Sequence, residues 1–225
     1  MPSEIWRNPI WLPELNMPHQ SQASDARPIR EVRAVYNEKT IRVYQAYSRE
    51  IAEPALQAQK FLLPFKKSRM TWIKPSFTWM MYRSGWAGKP GQEYILGIDI
   101  LRSGFEWALA NSCLSHFDAS VHPSHSDWES MLHNSLVRIQ WDPERSIDLQ
   151  PLPWRAIQIG IGPRTVSAYV EEWITQIEDL TPYAKRIESL VRNGDLNLAR
   201  PLFPLETNYA LPKEIVRRIG GSNEG

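Results

Sequence analysis

The chain has 225 residues, 42% of them hydrophobic and 23% charged, with a net charge of +1. That length supports one well-buried domain and leaves little room for two. The near-zero charge excludes broad coating of nucleic acid through a basic field, so a nucleic-acid partner must be met by a local patch.

Residues 1–28 are rich in Pro, Ser, Gln and Asn and show no sustained period. They read as a mobile arm, with Trp6 and Trp11 able to dock on the body. The arm lacks the basic start and unbroken apolar run of a secretory signal. No later stretch reaches the roughly 20 apolar residues of a membrane helix. The one cysteine, Cys113, excludes an intrachain disulfide and fits a reducing compartment. A cytoplasmic protein with no membrane partner is the expectation.

The segment 29–36, IREVRAVY, predicts a short strand or extended lead-in, and 37–39 a turn. TIRVYQAY at 40–47 alternates with period 2 and predicts a strand. From Ser48 the apolar spacing becomes helical, through Ile51, Ala52, Ala55 and Leu56. Pro54 falls early enough in that helix to be tolerated. A loop over 61–68 precedes a strand at 69–73, and Pro75 marks the start of a short helix that Ser84-Gly85 ends. EYILGIDI at 93–100 predicts a strand and 104–114 a helix.

After a loop at 115–125, Ser126 and Glu129 have the spacing of a capping box before a helix at 128–134. LVRIQW at 136–141 predicts a strand, 142–145 a turn, and RAIQIGI at 155–161 another strand. The longest helix is predicted over 168–177, where Val170, Trp173, Ile174 and Ile177 recur at spacings of 3 and 4, and then over 183–192. The chain from Asp195 reads as loop. Strands and helices do not alternate strictly, so the expected class is α+β, with a mixed or antiparallel sheet and flanking helices. The expected organisation is one domain over 29–215, with a tail at 216–225. No G-x-G-x-x-G or phosphate-binding G-x-x-x-x-G-K-[ST] loop is present.

The chemistry concentrates in RMTWIKPSFTWMMYRSGW, residues 69–86. It holds three of the ten tryptophans, the cations Arg69, Lys74 and Arg83, and no acid. Large aromatics mixed with fixed positive charge suit a pocket that grips an anion and stacks a flat ring. If Pro75 opens a helix, the free N–H groups of its first turn, Lys74 and the Ser76 hydroxyl form an anion site. The bland alternative is that Ser76 caps the helix and Lys74 is solvated. Trp79, Arg83 and Trp86 would share a helix face, with Trp72 and Tyr82 nearby. Arg83 would pair with phosphate, or else cap the helix end.

A second cluster, Asp142-Pro143-Glu144-Arg145, puts two carboxylates and an arginine on a stiffened turn. Either acid could act as general base, and an ordinary turn is the alternative. Within strands lie Arg42, Tyr44 and Gln45, and then Arg155 and Gln158. Cys113, His116, Asp118, His122, His125 and Asp127 include a pair with metal-site spacing, but Pro123 breaks the helical geometry and no metal is expected. No cofactor is expected, and no nucleophile elbow is present.

Taken together, REVRAVYNEKTIRVYQAY, RMTWIKPSFTWMMYRSGW and VRIQWDPER followed by WRAIQIGI resemble the family catalogued as domain of unknown function 4291, from about Arg30 to about Pro212. The resemblance implies a link to ADP-ribose carried on RNA, a hydrolase that removes it, and an ADP-ribosyltransferase-like fold. On that reading Lys74, Ser76 and Arg83 hold phosphate, and Trp79, Tyr82 or Trp86 stacks adenine. Arg33, Arg145 and Arg155 join the ligand-binding set. Arg42 to Gln45, the Lys74–Ser76 junction and Gln158 would fill the three polar stations of a transferase fold. The usual transferase glutamate is missing from RAIQIGI, which leaves Asp142 or Glu144 as acid and base. The alternatives are an NAD-consuming ADP-ribosyltransferase and a non-catalytic module that binds RNA or a nucleotide.

Overall fold

The computed structural model describes residues 27–222. In chain order it contains strands β1 (Arg33–Ala34) and β2 (Thr40–Tyr47), helix α1 (Arg49–Ala58), strand β3 (Thr71–Ile73), helix α2 (Phe77–Ser84) and strand β4 (Tyr94–Leu101). Helix α3 (Arg102–Ala110), strand β5 (Ser112–Leu114), helix α4 (His125–Asn134) and strands β6 (Val137–Arg145) and β7 (Pro151–Ile161) follow. Helix α5 (Val166–Ala168) runs into a π turn (Tyr169–Trp173) and strand β8 (Ile174–Asp179). Helices α6 (Thr181–Arg192) and α7 (Leu196–Ala199), a 3-10 turn (Arg200–Leu202), strand β9 (Thr207–Asn208) and helix α8 (Lys213–Arg218) complete it.

The fold is α+β. The strands form sheets of order β2-β4-β8 and β3-β7-β6-β5, plus the pair β1-β9. All these pairings are antiparallel except β5 with β6. A backbone bridge between Tyr44 and Lys74 joins the two larger sheets. The main core gathers Ile41, Val43, Ile98, Ile139, Ile159 and Phe105. A second cluster lies around α2 and α6, built on Phe77, Trp79, Met81, Trp86 and Ile187. Among the described residues no helix is long and apolar enough to cross a membrane.

Strand β2 is buried on both faces, which its polar residues make unusual. Arg42 is 5% exposed and is neutralised by Asp99 through Nε–Oδ1 at 2.5 Å and Nη2–Oδ2 at 2.8 Å, and by Glu178 at 3.0 Å. Its guanidinium crosses β4 at Gly97, where an added Cβ would stand 2.5 Å from Nη1.

Several expected elements are corrected. The helix expected over 168–177 stops at Trp173, and Ile174–Asp179 pairs with the second edge of β4. The 3-and-4 spacing of its apolar residues fits a helix, but the unpaired edge of β4 decides the outcome. The turn expected at 142–145 continues β6, which pairs with β7 up to Arg145 across a bulge after Pro143. The chain reverses at 146–150, with Leu149 at φ 63°. The predicted helix at 104–114 ends at Ala110, and Ser112–Leu114 becomes β5. Ser124, not Ser126, caps α4: its Oγ accepts the Asp127 N–H at 3.1 Å and donates to Asp127 Oδ2 at 2.6 Å.

The chain after Asp195 is not plain loop. Strand β9 pairs with β1, and Ile215 and Ile219 are buried in the core, so the packed body continues past residue 215. Of the arm expected at 1–28, residues 1–26 lie outside the described residues. Arg27 and Pro28 border a cleft.

Candidate functional site

The cleft has a volume of about 250 Å³. It lies where β7 runs beyond the end of β3, between the start of α2 and the segments 27–33 and 204–206. Glu31, Arg33, Ser76, Thr78, Glu144, Arg145, Trp154, Arg155 and Glu206 are among its lining residues.

Helix α2 begins as the sequence predicts. Ser76 is its N-cap, accepting the Trp79 N–H at 3.1 Å, and Gly85 ends it at φ 60°. The expected anion site at this terminus is filled by the protein's own carboxylates. Glu206 Oε1 accepts the Phe77 N–H at 2.7 Å. Glu144 Oε1 accepts from Ser76 Oγ at 2.8 Å, Thr78 Oγ1 at 3.2 Å and the Arg145 N–H at 2.8 Å. Glu144 and Glu206 therefore share the cleft with Glu31, which is held by Arg33. Burial raises the Glu206 pKa well above the usual carboxylate value, and the neighbouring Glu144 charge adds to the rise. The Phe77 N–H, Arg33 and Arg27 oppose it.

Arginines surround this pair. Arg33 donates to Glu31 at 2.9 Å and to the Glu206 carbonyl at 2.7 Å. The Arg145 guanidinium lies 3.5 Å from the centre of the exposed Tyr82 ring, and its buried Nε has no partner among the described residues. The Arg27 guanidinium lies 5.0 Å over Trp154. Arg155 is exposed at the same wall. Four arginines outnumber the three glutamates of the lining, Glu31, Glu144 and Glu206, and suit an anionic organic ligand better than a metal cation.

Of the residues singled out from sequence, the cleft brings together Arg33, Ser76, Glu144, Arg145 and Arg155, with Tyr82 stacked behind Arg145. The others stand elsewhere. Lys74 is fully buried, its Nζ 2.8 Å from Asp142 and 3.4 Å from the centre of the Trp79 ring. Burial pushes its pKa down to about 8, against the pull of Asp142. Lys74 and Asp142 are thus engaged with each other.

Trp79 and Trp86 are core residues, and Trp86 meets Phe77 and Phe203 edge-on. Arg83 points outward and donates to Gln92 at 3.1 Å. Arg42 is locked between Asp99 and Glu178, and Tyr44 packs on Phe77. Gln45 is used up internally, donating to Thr71 Oγ1 and the Trp72 carbonyl and accepting from Tyr169. Gln158 pairs in register with Gln140 and does not line the cleft. The Cys113 Sγ and His122 Nε2 are buried 3.9 Å apart, whereas His125 stacks on Phe117.

Sequence reasoning missed Glu206, Glu31 and Trp154. Glu206 sits in a proline-rich stretch with no period, and only the β1-β9 pairing brings it back to α2.

Fold and site together define an α+β domain with a paired-carboxylate, arginine-rimmed cleft. The family model described as domain of unknown function (DUF4291) matches residues 31–209, and the chain belongs to that family. No curated protein and no solved structure matches the chain.

Proposed function

We propose that this protein is a cytoplasmic hydrolase that releases ADP-ribose from ADP-ribosylated RNA, on an ADP-ribosyltransferase-like arrangement of its two larger sheets. The observation that carries the reading is the Glu144–Glu206 pair inside a cleft rimmed by arginines. Cleavage of a glycosidic bond needs one carboxylic acid to protonate the leaving oxygen and one carboxylate to activate water. Glu206, whose pKa is raised, is the acid. Glu144, oriented by Ser76, Thr78 and the Arg145 N–H, is the base. Water gives its proton to Glu144 and its hydroxyl to the ribose carbon. The RNA oxygen leaves with the Glu206 proton, and exchange with solvent resets both groups.

Arg33, Arg145 and Arg155 fit a diphosphate, and Trp154 offers a flat surface for the base. Of the residues expected to be catalytic, Asp142, Glu144 and Gln158, this reading keeps Glu144 and adds Glu206, because Asp142 is paired with Lys74 and Gln158 lies off the cleft.

The test is a release assay. Full-length protein is incubated with RNA carrying ADP-ribose at a terminal phosphate, a ribose hydroxyl or a base, and free ADP-ribose is followed by mass spectrometry. Release from one linkage class, abolished in Glu206→Gln, is the expected result. Nicotinamide release from NAD without ADP-ribose release would replace the reading with a transferase. Binding without any covalent change would replace it with a recognition module.

A further inference from the structure

We propose that the outer face of the β3-β7-β6-β5 sheet, centred on Trp72, binds the single-stranded RNA that leads into the cleft. The inference rests on the reading of RNA as the acceptor. Register places the face. Trp72 and Arg138 both lie opposite Gly160, Gln140 lies opposite Gln158, and Asp142 opposite Ala156. Partners in register point to the same side of a sheet. The intervening residues, Ile73, Val137, Ile139, Ile157, Ile159 and Ile161, are all buried in the core, so the Trp72 side is the outer one.

Trp72 differs from its neighbours. Trp79 and Trp86 are core, while Trp72 is partly exposed. A Cβ at Gly160 would stand 2.9 Å from two carbons of its six-membered ring and 2.6 Å from the Met70 sulfur. The indole therefore covers the β7 backbone where a side chain would otherwise rise. An indole laid on a sheet is a stacking surface for an unstacked base.

Beside it, the Gln140 and Gln158 amides are partly exposed and make no hydrogen bond within the described residues. Amides carry both donors and acceptors, the groups that read a base edge. Arg138, also partly exposed, spends one nitrogen on Ser135 Oγ and supplies the charge for a phosphate.

Along its strands the face leads toward the cleft, with the Lys74–Asp142 pair, packed under Trp79, standing between the two. Two residues along β7 from Gln158 lies Ala156, which lines the cleft, and two along β6 from Asp142 lies Glu144. From Ala156 to Gly160 the strand covers about 13 Å at ~3.3 Å per residue. A strand of RNA lying on Trp72 reaches the carboxylates by passing over the Lys74–Asp142 pair, which stands on the same face between them. The apolar part is one indole and one thioether, too little for the centre of a stable protein interface of about 800 Å² per partner. Stacking, amides and one cation fit a single nucleic-acid strand.

The test uses full-length protein and a fluorescein-labelled, unmodified, mixed-sequence single-stranded RNA, read by anisotropy. Free ADP-ribose binding is measured in parallel by calorimetry. Trp72→Ala is expected to weaken RNA binding about tenfold or more, Trp72→Phe to keep most of it, and a duplex of the same sequence to compete poorly. Unchanged RNA binding in a folded Trp72→Ala overturns the proposal, as does wild-type protein that ignores the single strand. A dimer seen by light scattering that Trp72→Ala dissolves would assign the face to a second copy instead. ADP-ribose binding that persists while RNA binding is absent sinks this face and leaves the cleft reading standing. RNA binding through Trp72 without ADP-ribose binding does the reverse.

Discussion

The Glu206 carboxylate accepts the backbone N–H of Phe77 at 2.7 Å, across 129 residues of chain. A side chain from the C-terminal segment therefore occupies the positive end of α2, where a bound anion would otherwise sit. The same carboxyl shares the cleft with Glu144. One residue both completes the helix terminus and forms the second half of an acid pair.

Glu206→Gln separates these two roles. The amide oxygen can still accept the Phe77 N–H, so the helix start is kept, while the transferable proton is lost. Turnover of ADP-ribosylated RNA is expected to fall by about 10²–10⁴-fold. A turnover within twofold of wild type would remove Glu206 from the acid role.

The same substitution has a stability signature. Glu206 has a folded pKa raised above its ordinary value of 4.5. Between those two values the native state holds a proton that the unfolded chain has released. Its contribution is complete below about pH 4.5 and is lost as pH rises through the raised value. Glu206→Gln removes that loss. Its Tm is expected to exceed that of wild type at pH 8, by about 2–4 °C per kcal/mol relieved, with the difference closing toward pH 4.5. Parallel melting curves at pH 4.5, 6 and 8 check this, and a constant difference would contradict it.

The sequence was most legible where the signal is local. Strand β2 follows its alternation, and α2 follows Pro75, the Ser76 cap and Gly85. It was least legible where a partner decides. Ile174–Asp179 carries helical spacing yet becomes a strand because β4 offers an edge. Lys74 looks like a phosphate ligand until Asp142 and Trp79 enclose it. Arg42 looks like a polar station until Asp99 and Glu178 neutralise it. Glu144 was legible as a carboxylate on a stiffened segment, while its partner Glu206 depends on a pairing between β1 and β9 that no short window contains.

Arg145 gives a binding prediction. Its guanidinium is stacked 3.5 Å from the Tyr82 ring centre and its Nη1 reaches the Leu149 carbonyl at 3.5 Å, so the fork is held in place at the cleft. Arg145→Lys keeps the charge but loses the planar fork and the stack. Both Arg145→Lys and Arg145→Ala are expected to weaken ADP-ribose binding in calorimetry by roughly tenfold or more, since hydrogen bonds to charged groups contribute about 1.5–3 kcal/mol each. Full affinity in Arg145→Lys would show that the fork is not used.

Asp142 and Asp99 are expected to act through stability. Asp99 holds Arg42 with both residues about 95% removed from solvent, so Asp99→Asn removes the carboxylate that bonds two of its nitrogens and leaves Glu178 to balance a buried cation. Breaking such a pair costs about 3–5 kcal/mol.

For Asp142→Asn the cost is smaller, about 1–3 kcal/mol at pH 7. Asp142 keeps 30% side-chain exposure, and its partner Lys74, already lowered to about 8, can shed its proton. A lysine with a depressed folded pKa holds stability fully above its ordinary value of 10.5 and loses it as pH falls through the folded value. Removing Asp142 takes away the contact that keeps Lys74 from falling further, so the Asp142→Asn deficit is expected to grow as pH drops from 9 to 6. Urea midpoints at those two pH values measure it. Turnover per folded molecule is expected to stay near that of wild type. A loss of a hundredfold or more with an unchanged midpoint would return Asp142 to the chemistry.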